Sequence, residues 1–308
     1  MLNLKTHYSI FANSGYQALG TPEKVVKRCK ELGFTYAGLS DHASISGCVK
    51  FYKACKEEGI KPILGTSFNV LEDGKLAGYI SCYAKNEQGW KNLIKATSRS
   101  NDKEFFEQDR HGPKITSEEL SKFKEGLFFV LGLPGDYLCN KLFKPTFYQT
   151  EFPDDILGHP EAIINNVLES LSDCETYIGL SSYTLLNQIL NDNSYTKKTC
   201  LDSYYINEED IDDFRVMLCS GLKTTKEKAN KFLADKELGR FFRKDCFISV
   251  EADALVECHY KFTDYLAEQV EDFDILGTPK LPKIDCGEDT DIQYLRKLCE
   301  EGWKKLKI

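Results

Sequence analysis

The stretch "TPEKVVKRCKELGFTYAGLSDHASISGCVKFYKACKEEGIKPILGTSFNVL", Thr21 to Leu71, decides the fold class. Thr21 can cap a helix that Pro22 opens, an acid follows in the first turn, and Gly33 supplies the stop. "YAGLS", Tyr36 to Ser40, is a short apolar run and predicts a buried strand. "SGCVKFYKACKEEG", Ser46 to Gly59, predicts an amphipathic helix with apolar positions at Val49, Tyr52 and Cys55 or Ala54. "KPILGTSFNVL" follows as a strand, and "GYISCYAK" as another, joined through Asp73 and Gly74. Upstream, Leu2 to Ser9 is β-like; downstream, "NEQGWKNLIKATS" is helical. The opening therefore reads βαβαβ, which favours a parallel sheet or barrel.

Beyond residue 100 the plan continues less regularly. "TSEELSKFKEGLFFVLGLP" predicts a helix led by Thr116 or Ser117 and a strand from Leu127 to Leu131. "HPEAIINNVLESLSD" and "ETYIGLS" repeat helix and strand, and "YTKKTCLDSYYINEEDIDDFRVMLCSG" predicts a strand ending near Asp202 and a helix from about Glu208. The tail from "ILGTPKLPKIDCGEDTDIQYLRKLCEEGWKKLKI" is a Pro- and Gly-rich extended segment and then an acidic-to-basic helix. It reads as a linker and a new element, so the expected division is residues 1–275 and 276–308. No repeat at solenoid periods and no low-complexity tract is evident.

The chain has 308 residues, 42% of them hydrophobic, enough for a sizeable core. No run approaches the roughly 20 apolar residues of a membrane span, and the first residues lack a signal-peptide pattern, so a soluble, cytoplasmic protein with no membrane partner is expected. Twelve cysteines are scattered without a Cys-x-x-Cys, which reads as buried thiols in a reducing compartment. A net charge of −8 means that any DNA contact needs a local basic patch or another protein.

Chemistry gathers where the predicted strands end. His7, the Asp41-His42 pair and Asp202 sit at such ends, where parallel barrels build their sites. Lys5 stands two places before His7, where a second histidine would complete a His-x-His pair. An ammonium brought toward Asp41 or Asp202 supplies the positive charge that a bound cation otherwise would. His111, His159 and His259 lack partners at ligand spacing and read as surface or core histidines. "LGLPGD" lacks the Gly-Lys-Ser/Thr ending of a phosphate loop. "DSYYI" reads as aromatic packing, and "NEEDIDD" and "EQVEDFD" as solvated helix faces.

"LSDHASISGCVKFYKACKEEGIKPILGT", "AKNEQGWKNLIKATS" and "LPKIDCGEDTDIQYLRKLCEEGWKK" resemble, in this order, the N-terminal PHP (polymerase and histidinol phosphatase) domain of DNA polymerase III alpha subunits and its exit toward the palm. The resemblance spans nearly the whole chain, strongest in residues 36–100 and the tail. It implies an α/β fold, a distorted (β/α)7 TIM-like barrel, with a C-terminal extended linker and helix. In the family, nine side chains hold a cluster of metal ions. By this resemblance His7, Asp41, His42 and Asp202 match ligand positions, while Lys5, Ser67, Tyr79, Leu133 and Tyr204 stand where ligands are lost. Ala43 replaces the glycine that usually follows the Asp-His pair.

Serine, leucine and tyrosine cannot replace glutamate, cysteine and histidine as ligands at neutral pH. The resemblance thus implies a replication module with a degenerate site and no cofactor, serving as scaffold and docking domain. Its implied partners are the rest of a replicative polymerase or replisome subunits, including a proofreading exonuclease, with DNA reached only indirectly. The alternative is a metal-dependent 3′-5′ exonuclease or phosphoesterase holding Zn, Mn or Mg on the residual ligands.

Overall fold

The computed structural model describes residues 4–8, 18–106, 112–132, 136–142, 158–171, 174–180, 197–199, 203–221, 225, 248, 264–277 and 284–306. The chain divides into two compact units, Met1–Ile275 and Leu276–Ile308. In the second, a helix runs from Asp291 to Leu306, with Ile292, Leu295 and Trp303 exposed.

The first unit is a mixed α/β fold around one sheet. Helix α1 (Pro22–Glu31) starts as its sequence dictates: Thr21 Oγ1 accepts from the Lys24 amide at 3.3 Å, and Pro22 occupies the first turn. It leads to β1 (Tyr36–His42), then α2 (Cys48–Glu58), β2 (Lys61–Glu72) and β3 (Lys75–Ala84). After α3 (Glu87–Ser100), capped by Asn86, come α4 (Lys103–Phe106), α5 (Ser117–Ser121), β4 (Leu127–Leu131), α6 (Tyr137–Leu142), α7 (Pro160–Ser170), β5 (Glu175–Leu180) and β6 (Lys197–Thr199). A 3-10 turn, Glu208–Asp210, precedes a helix over Ile211–Gly221.

The strands lie in sequence order, β1 to β6. β1 and β2 are parallel, as are β4, β5 and β6, but β3 runs antiparallel to both of its neighbours. The parallel expectation therefore fails at β3. Asp73 and Gly74, with φ of 48° and 73°, form a two-residue hairpin turn, which leaves no chain for a parallel crossover. The segment expected as a strand over Leu2 to Ser9 pairs, among its described residues, only at Leu4, which bridges Leu39 on one side and Ser203 on the other.

Strand alternation sorts the side chains into two layers. Ala37, Leu39 and Leu64 face α1 and α2, and Phe68, Ile80, Cys82, Leu127 and Phe129 face α3 and the helices beyond. The other face carries Tyr36, Ile63, Tyr83, Phe128 and Val130 at one end and Ser40, His42, Ser67 and Ser81 at the other. β1 is buried along its whole length, as a strand covered on both faces must be. In α2 the buried positions are Cys48, Phe51, Tyr52, Ala54 and Cys55; Val49 is 42% exposed, contrary to its expected place. It lies a quarter-turn outside the stripe that the neighbouring Cys48 and Phe51 define.

The apolar end of this inner face is closed by residues 264–275. Leu266, Ala267 and Val270 pack on Tyr36, Ile63 and Tyr83. Tyr36 donates to Asp264 at 2.7 Å, and Lys61 Nζ donates to the carbonyls of Ala267, at 2.7 Å, and Val270, at 2.5 Å. "EQVEDFD" is thus no solvated helix face: Val270 and Phe273 enter the core, and Asp272 pairs with Lys56.

Candidate functional site

The polar end of the inner face holds the candidate site. Register places Asp41 beside Thr66 and His42 beside Ser67 across the parallel pair, and Ser67 opposite Ser81 across the hairpin. Lys5 reaches into this end from the Leu4 bridge and is 1% exposed. Its Nζ donates to Ser40 O, to Ser40 Oγ at 2.9 Å and to Ser67 Oγ at 2.9 Å. Ser67 Oγ pairs in turn with Ser81 Oγ at 2.9 Å. The Lys5 ammonium also lies 5.9 Å from the Tyr79 ring centre, a cation–π distance.

Asp41 and His42, adjacent on β1, meet different neighbours. The Asp41 carboxylate accepts from the Thr6 amide at 2.6 Å and from Thr6 Oγ1 at 2.7 Å. It sits at the start of α2, where a Cβ on Gly47 would meet Asp41 Oδ2 at 2.8 Å, so only glycine leaves it room. Cys48 beside it is pushed up by burial and by that negative charge, so its thiol is inert. Thr66 Oγ1 donates to Asp41 O at 2.7 Å and fixes the strand end. The turn that follows needs a left-handed residue: Ala43 has φ of 50°, the conformation that glycine adopts more cheaply.

His42 points instead into aromatic surroundings. Tyr79 meets its ring edge-on with centroids 4.8 Å apart, and Tyr204 stacks parallel at 6.5 Å. Burial, reinforced by the Lys5 charge, holds its pKa well below the ordinary imidazole value, so the ring is neutral. Tyr204 and Tyr205 pack on Phe214, which makes "DSYYI" core aromatic packing over its described part. His7 is half-buried; its Nδ1 donates to the Gly20 carbonyl at 3.0 Å and its ring packs on Tyr8.

The structure thus brings together Lys5, His42, Ser67, Tyr79 and Tyr204, with Asp41 one residue away on β1 and His7 in the adjoining loop. Asp202 and Leu133 lie outside the described residues, as do His111 and His259; His159 is exposed before α7. Sequence reasoning missed Thr6, Ser40 and Ser81. Their signal was available in principle, since a hydroxyl at alternate positions of two neighbouring strands lands on one face.

A multinuclear metal centre needs several anionic or imidazole donors; among the described residues this end of the sheet carries an ammonium, three serine hydroxyls, two tyrosines and the neutral His42 imidazole, with the Asp41 carboxylate engaged by Thr6 and His7 by Gly20. Among the described residues no group of three or more His, Cys, Asp or Glu side chains is placed to hold an ion. Among them, too, no helix is long and apolar enough to cross a membrane.

The family model described as "PHP domain" matches residues 2–198. DNA polymerase III subunit alpha of Borreliella burgdorferi is 27% identical over 315 aligned residues, which take in 96% of this chain and 26% of that protein. The same subunit of Halalkalibacterium halodurans is 26% identical, again over 96% of this chain and 26% of its own length. The chain therefore spans about a quarter of these relatives. An amidohydrolase structure from Chromobacterium violaceum superposes with a TM-score of 0.42 at 13% identity, covering 67% of this chain and 88% of that one. With the family model matched over well more than half its length, the chain belongs to the PHP domain family.

Proposed function

We propose that the chain is the PHP module of a DNA polymerase III alpha-like replicative polymerase, in which the family's metal pocket has become a lysine-centred hydrogen-bond network. Its role in this reading is that of a scaffold and docking domain in the cytoplasm, holding the polymerase body or another replisome subunit such as a proofreading exonuclease. Residues 276–308 lead toward that body. The single observation that carries the proposal is Lys5: a buried ammonium that donates to Ser40 and Ser67.

The four positions that the family resemblance marks as lost ligands and that the structure describes are Lys5, Ser67, Tyr79 and Tyr204. They cluster around His42, which supports the residue matching itself. Of the retained positions that the structure describes, Asp41 is engaged by Thr6 and His7 by Gly20. A positive charge fixed inside the pocket opposes a divalent cation there directly. The double bridging of Leu4, to Leu39 and to Ser203, supports a sheet that curls toward the (β/α)7 barrel.

Elemental analysis of the purified chain, with hydrolysis assays on nitrophenyl phosphate and single-stranded DNA, tests the reading. Zinc, manganese and iron well below one ion per chain and no turnover are expected. Stoichiometric metal with hydrolysis that His42→Ala abolishes would overturn it in favour of the exonuclease or phosphoesterase alternative.

A further inference from the structure

Helices α1 and α2 carry one pattern twice. "EKVVKRCKELG", Glu23 to Gly33, and "VKFYKACKEEG", Val49 to Gly59, coincide at Lys24 and Lys50, Lys27 and Lys53, Cys29 and Cys55, Lys30 and Lys56, Glu31 and Glu57, Gly33 and Gly59. The register extends to burial. In α1 the core takes Pro22, Val25, Val26 and Cys29; in α2 it takes the matching Cys48, Phe51, Tyr52 and Cys55. Two helices that bury equivalent positions present equivalent positions to solvent, so the lysine triplets point outward alike. All six lysines are exposed.

The two helices also lie side by side in the same direction. Each precedes one of the parallel strands β1 and β2, and their buried faces share one core cluster. Lys30, near the end of α1, brings its Nζ to 4.0 Å from where a Gly59 Cβ would stand, at the end of α2. Within each helix the lysines step by about 4.5 Å along the axis, and packed helices run about 8–10 Å apart. The result is a two-by-three array of ammonium groups. With Arg28, seven basic side chains stand against four glutamates on these helices, a positive surface in a chain of net charge −8. Lys24, Lys27, Lys30 and Lys53 have no ion pair within 4 Å among the described residues, whereas Lys56 is held by Asp272 and Lys50 lies over the Tyr8 ring.

We propose that the outer face of α1 and α2 is a docking surface for the phosphate backbone of DNA. An array in which four of six solvated ammonium groups have no ion pair or ring contact among the described residues suits sequence-independent phosphate contact, and binding would be driven by release of counterions from the DNA. The array itself owes nothing to the pocket chemistry; the choice of DNA over other polyanions rests on the polymerase reading above.

The test is fluorescence anisotropy of a labelled 20-base-pair duplex titrated with the full chain across a potassium chloride series. EDTA in the buffer keeps any metal-dependent hydrolysis out of the result, so failure of the pocket reading and failure of this one are distinguishable. About −0.9 in log–log salt slope is expected per phosphate neutralised, hence a slope between about −3 and −4 for the four unpaired lysines. The triple variant Lys24→Glu, Lys27→Glu, Lys53→Glu should bind at least tenfold more weakly. The variant Lys75→Glu, Lys95→Glu, Lys103→Glu changes net charge equally on other elements and should bind as the parent does. Absent binding at 50 mM salt, equal loss in both variants, or equal affinity for a polyglutamate of matching charge would each overturn the proposal, the last in favour of an acidic protein partner.

Discussion

Two lysines enter the same sheet from opposite ends. Lys61 begins β2 and spends its ammonium on the carbonyls of Ala267 and Val270, closing the apolar end with a segment from far along the chain. Its head group stays at the rim and half-buried. Lys5 arrives at the polar end, is sealed from water and finds side-chain hydroxyls and the Ser40 carbonyl. Lys61 works as a carbonyl cap on a helical turn over 264–269, a job many chains give to a C-terminal lysine. Lys5 has been desolvated in full, which costs several kcal/mol unless the surroundings return the hydrogen bonds.

The largest expected effect breaks the polar end. Lys5→Met keeps the length of the side chain and removes its charge, leaving Ser40 Oγ and the Ser67–Ser81 pair without their donor. The loss should be about 2–3 kcal/mol, in the range for a charge-assisted bond removed from buried acceptors, read from urea unfolding midpoints. A neutral or stabilising outcome would mean that the ammonium is a burden which the pocket tolerates, and the comparison with Lys61 would collapse.

The second effect sharpens the comparison through pH, because among the described residues the polar end alone holds a buried imidazole. His42 has its folded-state pKa depressed by burial and by Lys5, so the unfolded chain binds the proton that the native state refuses. Stability is therefore full above the unfolded value near 6.5 and falls as pH drops below it. Between pH 7.5 and 5.5 one such group removes about 1.4 kcal/mol. His42→Phe, which keeps a ring against Tyr79 and Tyr204, should lose that slope; an unchanged slope would assign it elsewhere.

Much of this architecture was legible in the residues, and the parts that were not share a cause. Thr21, Pro22 and Gly33 announce α1 because capping is local chemistry, and Asp73-Gly74 announces a hairpin because only certain residues accept positive φ. Reading the opening as parallel ignored what that turn implies for β3. The misplacement of Val49 came from taking apolar identity for inward direction. At the site, position predicted that Lys5 would carry charge into the pocket toward Asp41 or Asp202, and Asp202 lies outside the described residues. The described acceptors are Ser40 and Ser67, while Thr6, next to His7 in the chain, takes Asp41. Register between strands decides such pairings, and register is set by partners distant in sequence.

The smallest effect tests the apolar end. Tyr36→Phe removes the hydroxyl that donates to Asp264 at 2.7 Å without altering the ring packed on Ile63 and Leu266. Asp264 keeps access to water, so no buried group is orphaned, and about 1 kcal/mol or less should be lost. The ends should also be energetically independent, since the side chains of Lys5 and Tyr36 share no partner in the described structure. In a double-mutant cycle, Lys5→Met with Tyr36→Phe should then add to within about 0.5 kcal/mol. A larger coupling would show that the segment over 264–275 tightens the inner face as a whole, so that the strap at one end helps to hold the lysine at the other.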